Sequence, residues 1–262
     1  MAELVYSYET EEHRALREQV RRFARAHIQP HAHAWDEACE FPRALYAQAA
    51  EAGVLGIGYP EALGGTGGDI THVLAASEEL VLEGHNVGVV VGLGSHGIAL
   101  PPILHHGSAE LRERFVPPVL RGELVSALAI TEPGGGSDVA GLTARAERDG
   151  DHYVVTGAKT FITSGCRADF VTTAVRTGGP GHGGISLLVI EAKTPGFSVG
   201  KKLAKTGWWA SDTAELHFEG CRVPRANLVG EENLGFLPIM TNFATERLYL
   251  AGQSVAIAEL CY

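Results

Sequence analysis

Cysteine is scarce in this sequence, and its four copies, Cys39, Cys166, Cys221 and Cys261, lie far apart with no C-x-x-C pair. That excludes a disulfide framework and a structural zinc site, and it predicts reduced, structural thiols inside a cell. Basic charge is also in deficit: 31 acids stand against 21 bases, for a net charge of −10. A nucleic-acid grip needs a clustered basic face, so binding of nucleic acid is not expected. The densest basic stretch, Arg14 to Arg25, interleaves with Leu16, Val20 and Phe23 at helical spacing and reads as a solvated helix face. Long apolar runs are missing. The best candidate, Val87 to Leu104, is cut by glycines and two prolines, whereas a membrane span needs about 20 apolar residues. The start, MAELVYSYETEEH, has neither the basic opening nor the apolar run of a signal peptide. A soluble protein of the cytoplasm or an organelle matrix is expected.

What is present is ample apolar material. Of 262 residues, 45% are hydrophobic, enough for more than one core. The chain changes character twice. Residues 1–125 read as an all-α domain. Glu11 to Ile28 carries one apolar stripe, and Phe41-Pro42 opens a helix that Gly53 stops. Asp69 caps a helix running through Leu82, and one apolar helix is expected over Val87 to Leu104. Ser108 caps SAELRERFVPPVL. Residues 126–229 alternate instead. SALAIT is a short buried strand, and LTARAER and DHYVVTG form a hairpin around Arg148-Asp149-Gly150-Asp151. KTFIT, DFVTTAVR, ISLLVIE and AELHFE are further strands. The expected class is α+β, with an antiparallel, barrel-like β domain after the helical one. From residue 230 to 262 the helical pattern returns and stops in mid-pattern at Tyr262. An apolar-striped helix needs packing partners, so a further helical segment is expected, and the stripe Leu248, Leu250, Val255 and Leu260 is an aggregation hazard without one.

The unusual stretch is TEPGGGSD, residues 131–138. It is no dinucleotide fingerprint, because Val139 stands where the third glycine of G-x-G-x-x-G belongs, and it lacks the Gly-Lys-Ser/Thr of a phosphate loop. It follows a buried strand, which anchors it, and Thr131, Ser137 and Asp138 are residues whose side chains stiffen turns. A fixed loop of bare backbone lets a planar heterocycle or a phosphate come close.

Three segments, in this order, resemble the acyl-CoA dehydrogenase family: ALAITEPGGGSDVAGLTARAERDGDHYVVTGAKTFITSG, then KLAKTGWWASDTAELHFEGCRVPRANLVGEENLGF, then NFATERLYLAGQSVA. The similarity covers nearly the whole chain. It implies an α-helical N-terminal domain, a β middle domain and the start of a C-terminal four-helix bundle, here only its first helix. It also implies FAD between middle domain and bundle. Leu128, Ala129, Ile130, Thr131, Gly136 and Ser137 match one flavin-lining segment, and Phe161, Ile162 and Thr163 a second; many members carry Trp where Phe161 stands. Ser137 also matches a substrate contact, as do Ala244 and Arg247. The reaction removes an α-proton and a β-hydride from a thioester and needs a carboxylate base. In the isovaleryl and long-chain branches that base precedes the arginine of an ERL motif, which makes Glu246 of Glu246-Arg247-Leu248 the candidate. The implied substrate is an acyl-CoA and the implied acceptor an electron-transferring flavoprotein, with a homotetramer or dimer as the assembly. The same scaffold also serves flavin oxidases and monooxygenases, and some nucleic-acid-associated homologues. No metal is expected: His105-His106 has no i, i+4 partner. Trp208-Trp209 is expected in the core at the sheet edge, Asp212 in a structural capping role, and the helix ELVLEGH in plain core packing.

Overall fold

A computed structural model describes residues 9–262; the reading of the N-terminus rests partly on residues 1–8, which lie outside the described residues. Helix α1 (Glu11–His27) starts where the Thr10 side chain accepts from His13 N, and it turns Val20, Phe23 and Ala24 inward. Two short helices follow, α2 (Ala32–Glu37) and α3 (Ala44–Glu51). The first of these carries no clear apolar period and escapes the sequence reading. Helix α4 (Ile70–Gly84) begins at Asp69, whose carboxylate accepts from Thr71 N, as its N-cap chemistry predicts.

The α1–α4 seam corrects two expectations. Arg17 reaches Glu9, Glu78 and Glu79 at 2.6, 2.7 and 3.0 Å, Arg21 bonds Glu79, and Arg25 bonds Glu83. The arginine stripe is therefore one side of an interhelical charge ladder, and ELVLEGH supplies the other side instead of packing by apolar contact alone. Arginine stems are long enough to lie along the seam while their heads find carboxylates, and charges this buried persist only when paired.

Residues 87–104 do not form one helix. They break into α5 (Val87–Leu93), α6 (His96–Ala99) and α7 (Pro101–His106). Pro101 can only start a helical turn, and Gly94 ends α5. The breaks let this apolar segment bend around the core while its freed backbone stays bonded. Helix α8 (Ala109–Leu120) starts at Ser108, as read.

The β region comprises β1 (Ser126–Ala129), β2 (Arg145–Asp149), β3 (His152–Thr163), β4 (Phe170–Arg176), β5 (Ile185–Glu191), β6 (Phe197–Lys202), β7 (Thr213–Pro224) and β8 (Leu228–Val229). The path is β6-β7-β3-β2-β4-β5-β8, with β1 on β4. The hairpin around Gly150 is there. KTFIT is no separate strand but the end of β3, beyond a register shift. The sheet is also not purely antiparallel. Strand β1 pairs with β4 in parallel, Ser126 opposite Phe170, and Arg145 of β2 also pairs parallel with Arg176. Because β5 takes the other edge of β4, β1 and β2 lie end to end along one edge. The chain leaves that edge after β1 and rejoins it in the same direction, and the glycine stretch lies in the excursion between. Strand β6, FSVGKK, has no counterpart among the strands expected from sequence, and its residues are nearly all exposed.

Trp208 and Trp209 are not core residues; they are 45% and 44% exposed. The backbone of Trp208 packs on Gly88, where an added Cβ would come within 3.0 Å of it, and the Trp209 indole donates to Lys205 O at 2.7 Å. Of the cysteines, Cys221 is in the core, Cys39 is half-buried, and Cys166 and Cys261 are exposed; all are free, so the structural reading holds for Cys221 alone. Helix α9 (Phe236–Cys261) closes the chain and packs on α4 and α7. Leu248, Leu250 and Val255 are exposed as expected, as is Leu237, while Leu260 is partly buried against the helical core. Among the described residues, no single helix is long and apolar enough to cross a membrane.

Candidate functional site

Two surfaces carry the sequence-derived candidates. The first is a platform at the junction of β1 and β3. Ala129, Ile130 and Ile162 are buried beneath it, Leu128, Thr131 and Thr163 are half-buried, and Gly136, Ser137 and Phe161 are exposed. The two predicted segments meet: Thr160 N donates to Thr131 O at 2.9 Å.

The fixing of this platform differs from the sequence reading, which assigned it to Thr131, Ser137 and Asp138. It rests on Glu132. The backbone of Glu132 pairs with Gly135 in both directions at 3.0 Å, closing the turn. Its buried carboxylate accepts from Thr143 N and Oγ1 at 2.7 Å and from Ala144 N at 2.9 Å. Lys159, fully buried, donates to Glu132 Oε1 and to Ile130 O, each at 2.9 Å. Burial pulls the Lys159 ammonium down to about 8, against the pull of the adjacent Glu132 charge. One lysine thus ties β3 to the strand end that precedes the glycines. It sat two residues before Phe161 in the sequence, and a lysine in a run of strand apolars was the available signal for it.

The glycines are not demanded by the protein's own packing. A Cβ on Gly134 or Gly135 would meet nothing within 4 Å, and one on Gly136 would only brush the Thr131 methyl at 3.1 Å. The bare backbone faces outward. Phe161 stands beside it, 68% exposed and at φ +59°. A bulky residue held in the left-handed region with its ring in solvent marks a strained conformation of the kind found at binding sites. An exposed aromatic face, an adjacent side-chain-free turn and the Thr131 hydroxyl together fit the flat, polar-edged ring of a flavin.

The second surface is a cavity of about 310 Å³ lined by α4, α5, α6, α7 and α9 together with the segment 54–59. Its walls are mostly apolar, with Val73, Leu80, Leu93, Ile98 and Pro101 among them, and Glu246 opens into it from α9. Asn242, one turn earlier, donates to Ile98 O at 2.9 Å and to Glu246 Oε1 at 2.6 Å, which fixes the carboxyl. Desolvation pushes the Glu246 carboxyl up to about 7, and the charge of Arg247 and the Asn242 bond only partly oppose it. Asn242 was not foreseen, although its i, i+4 spacing to Glu246 on a helix was the signal. His105 and His106 end α7, and both line the cavity.

Not every candidate converges. Ser137 and the glycine turn do not line the cavity, and neither do Ala244 and Arg247. The latter two are exposed, one helical turn apart on α9, with the Arg247 guanidinium 5.9 Å over the Phe243 ring. Platform and cavity share their backing. Ile130 beneath the first and Ile103, Ile239 and Phe243 near the second belong to one apolar cluster.

Two other polar clusters are structural. Asp212 accepts from Cys166 N at 2.7 Å and from Arg167 Nε at 2.5 Å, tying loops together. His13, Asp69 and His72 converge closely enough for a cation. Both nitrogens of His13 already bond Thr10 and Thr71, and His72 Nδ1 bonds Asp69. Their roles are accounted for by the caps of α1 and α4.

Comparisons with known proteins bear on the fold and the family. Residues 10–123 match the acyl-CoA dehydrogenase N-terminal domain and residues 127–221 the acyl-CoA dehydrogenase middle domain. The long-chain specific acyl-CoA dehydrogenase of Rattus norvegicus mitochondria is 38% identical over 256 residues, 96% of this chain and 59% of that protein. A probable acyl-CoA dehydrogenase from Mycobacterium abscessus superposes with a TM-score of 0.95 at 54% identity, covering 97% of this chain and 68% of that one. A glutaryl-CoA dehydrogenase from Mycobacterium smegmatis, solved in complex with FADH2, superposes at 0.86 with 26% identity, over 95% of this chain and 62% of that one. Fold and site define an acyl-CoA dehydrogenase scaffold. The chain belongs to the acyl-CoA dehydrogenase family, and it spans 59% of the length of the rat relative.

Proposed function

We propose that this chain forms the cofactor platform and proton-abstracting side of an acyl-CoA dehydrogenase, which converts an acyl-CoA thioester to the trans-2-enoyl-CoA. The observation that carries the proposal is Glu246: a half-buried carboxyl at an apolar cavity, poised near neutral pH. A general base works best when its affinity for a proton matches the operating pH, and perturbed carboxyls concentrate at functional sites.

In this reading Leu128 to Thr131, Gly136, Ser137 and Phe161 to Thr163 hold FAD. When bound, FAD supplies the acceptor for the hydride leaving the β-carbon. Glu246 takes the α-proton onto a carboxylate oxygen, and Asn242 holds that carboxyl in place. The apolar walls keep water away from the carbanion-like α-carbon and house the acyl chain. Arg247, outside the cavity, meets the anionic CoA moiety, with Ala244 leaving room beside it and Ser137 reaching the same ligand from the platform. An electron-transferring flavoprotein is the proposed oxidant of the reduced cofactor.

The test is Glu246→Gln in the FAD-loaded enzyme, with bleaching of the flavin on addition of acyl-CoA as the readout. Glutamine keeps the size and the Asn242 contact but cannot take a proton. Loss of bleaching with retained FAD absorbance supports the assignment; wild-type bleaching places the base elsewhere.

A further inference from the structure

Three glycines line the Glu246 cavity, and they differ in why no side chain stands there. Gly58 is held at φ +82°, and a Cβ on it would lie 2.9 Å from a Val73 methyl. Gly94 is crowded: a Cβ there would lie 3.0 Å from Val90 O and 3.1 Å from the Tyr249 hydroxyl. The protein's own packing requires both of these glycines. Gly97 has neither reason. It lies in α6 with φ outside the left-handed region, and a Cβ on it would meet nothing within 4 Å. It is exposed, although Ser95 and Ala99, two positions away on each side, are buried. Glycine inside a helix is less stable than alanine, so the fold by itself favours a methyl at this position.

Hydrogen bonds place this opening close to the base. The residue after Gly97 is Ile98, whose carbonyl accepts from Asn242 Nδ2 at 2.9 Å, and the same nitrogen donates to Glu246 Oε1 at 2.6 Å. One amide nitrogen thus separates the α6 backbone from the carboxyl assigned to take the proton. We infer that the room at Gly97 belongs to the substrate, and that Gly97 is a specificity-determining position admitting acyl groups with a methyl branch on the carbon that loses its proton. The inference rests on the dehydrogenase reading and deepens it by naming a substrate class. A straight chain leaves the space beside its α-carbon empty, and a branched one fills it. A methyl added to the wall takes the volume that the branch needs. In a packed apolar site one such group is worth roughly tenfold or more in discrimination.

The test adds that methyl. Gly97→Ala in the FAD-loaded enzyme is compared with the wild type on hexanoyl-CoA and 2-methylhexanoyl-CoA, reading the second-order rate constant of flavin bleaching. The wild type is expected to be reduced by both thioesters. In Gly97→Ala the ratio of the branched to the straight rate constant is expected to fall about tenfold, and in Gly97→Val further. The melting temperature of the alanine variant holds or rises, which separates lost room from lost fold. An unchanged ratio in both variants, or an equal loss on both thioesters, overturns the role of Gly97 and leaves the dehydrogenase reading standing. So does a wild type reduced by the straight thioester alone, and so does a lower melting temperature of Gly97→Ala, which assigns the glycine to packing. Reduction of the wild type by neither thioester overturns both.

Discussion

The platform around Thr131 and Phe161 lies open, and what fixes it is underneath: a buried Lys159–Glu132 pair with its full set of bonds. The Glu246 cavity has mostly apolar walls and holds a carboxyl whose hydrogen-bond partner, Asn242, is neutral. Both use burial of charge, to different ends. In the platform every lone pair is occupied, so burial gives rigidity and little reactivity. In the cavity the carboxylate is under-solvated and no lysine or arginine lines the walls, so burial raises its proton affinity. Rigidity is useful where a flat ring must be held; an unsatisfied base is useful where a proton must move.

The largest effect is expected from breaking the platform's pair. Lys159→Met leaves Glu132 charged and uncompensated in the interior, at a cost of about 3–5 kcal/mol, readable in urea denaturation. Adding Glu132→Leu to that variant restores part of the stability, since removing both charges costs less than stranding one. If Lys159→Met unfolds at the wild-type midpoint, the platform is not held this way.

On the cavity side, Glu246→Gln is expected to slow flavin reduction by about 10²- to 10⁴-fold, the usual weight of a positioned base. Its pH behaviour separates the two regions further. Reduction should rise with pH through about 7 as Glu246 ionises. Stability should move the other way. The raised folded value means the native state keeps a proton that the unfolded chain has lost between about 4.5 and about 7, so stability falls as pH climbs through that window. Glu246→Gln should flatten this slope, in melting temperatures measured from pH 5 to 8. A wild-type slope retained in the variant assigns the titration to another group.

The smallest effect is expected at Phe161. Phe161→Ala should weaken FAD binding by about 3- to 10-fold, the worth of one aromatic contact. Its effect on folding should stay within about 0.5 kcal/mol, because the ring is already exposed. Quenching of flavin fluorescence on titration reads the first, and denaturation the second. A large loss of stability with unchanged FAD affinity would make Phe161 a packing residue.

Much of this architecture was legible locally. Thr10, Asp69 and Ser108 cap helices where their residue types predict it, and Gly150 turns the hairpin between β2 and β3. Those features are decided within a few residues by backbone hydrogen bonding and left-handed φ. The reading failed where the deciding partner is far along the chain. Arg17, Arg21 and Arg25 look like solvent residues until α4 brings carboxylates about sixty positions distant. Trp208 and Trp209 look like core, yet the fold leaves both rings close to half exposed.

Residue order alone therefore determined the succession of helical, stranded and again helical segments, the caps, the bare-backbone loop and an acid on a striped helix. Periodicity and turn chemistry are short-range and survive in one dimension. Tertiary structure decided that Glu132 and Lys159 rather than the flanking hydroxyls hold the loop, and that Glu246 lies in an apolar enclosure that raises its proton affinity. Desolvation and long-range pairing depend on what the fold places around a group, and a linear sequence does not contain those distances.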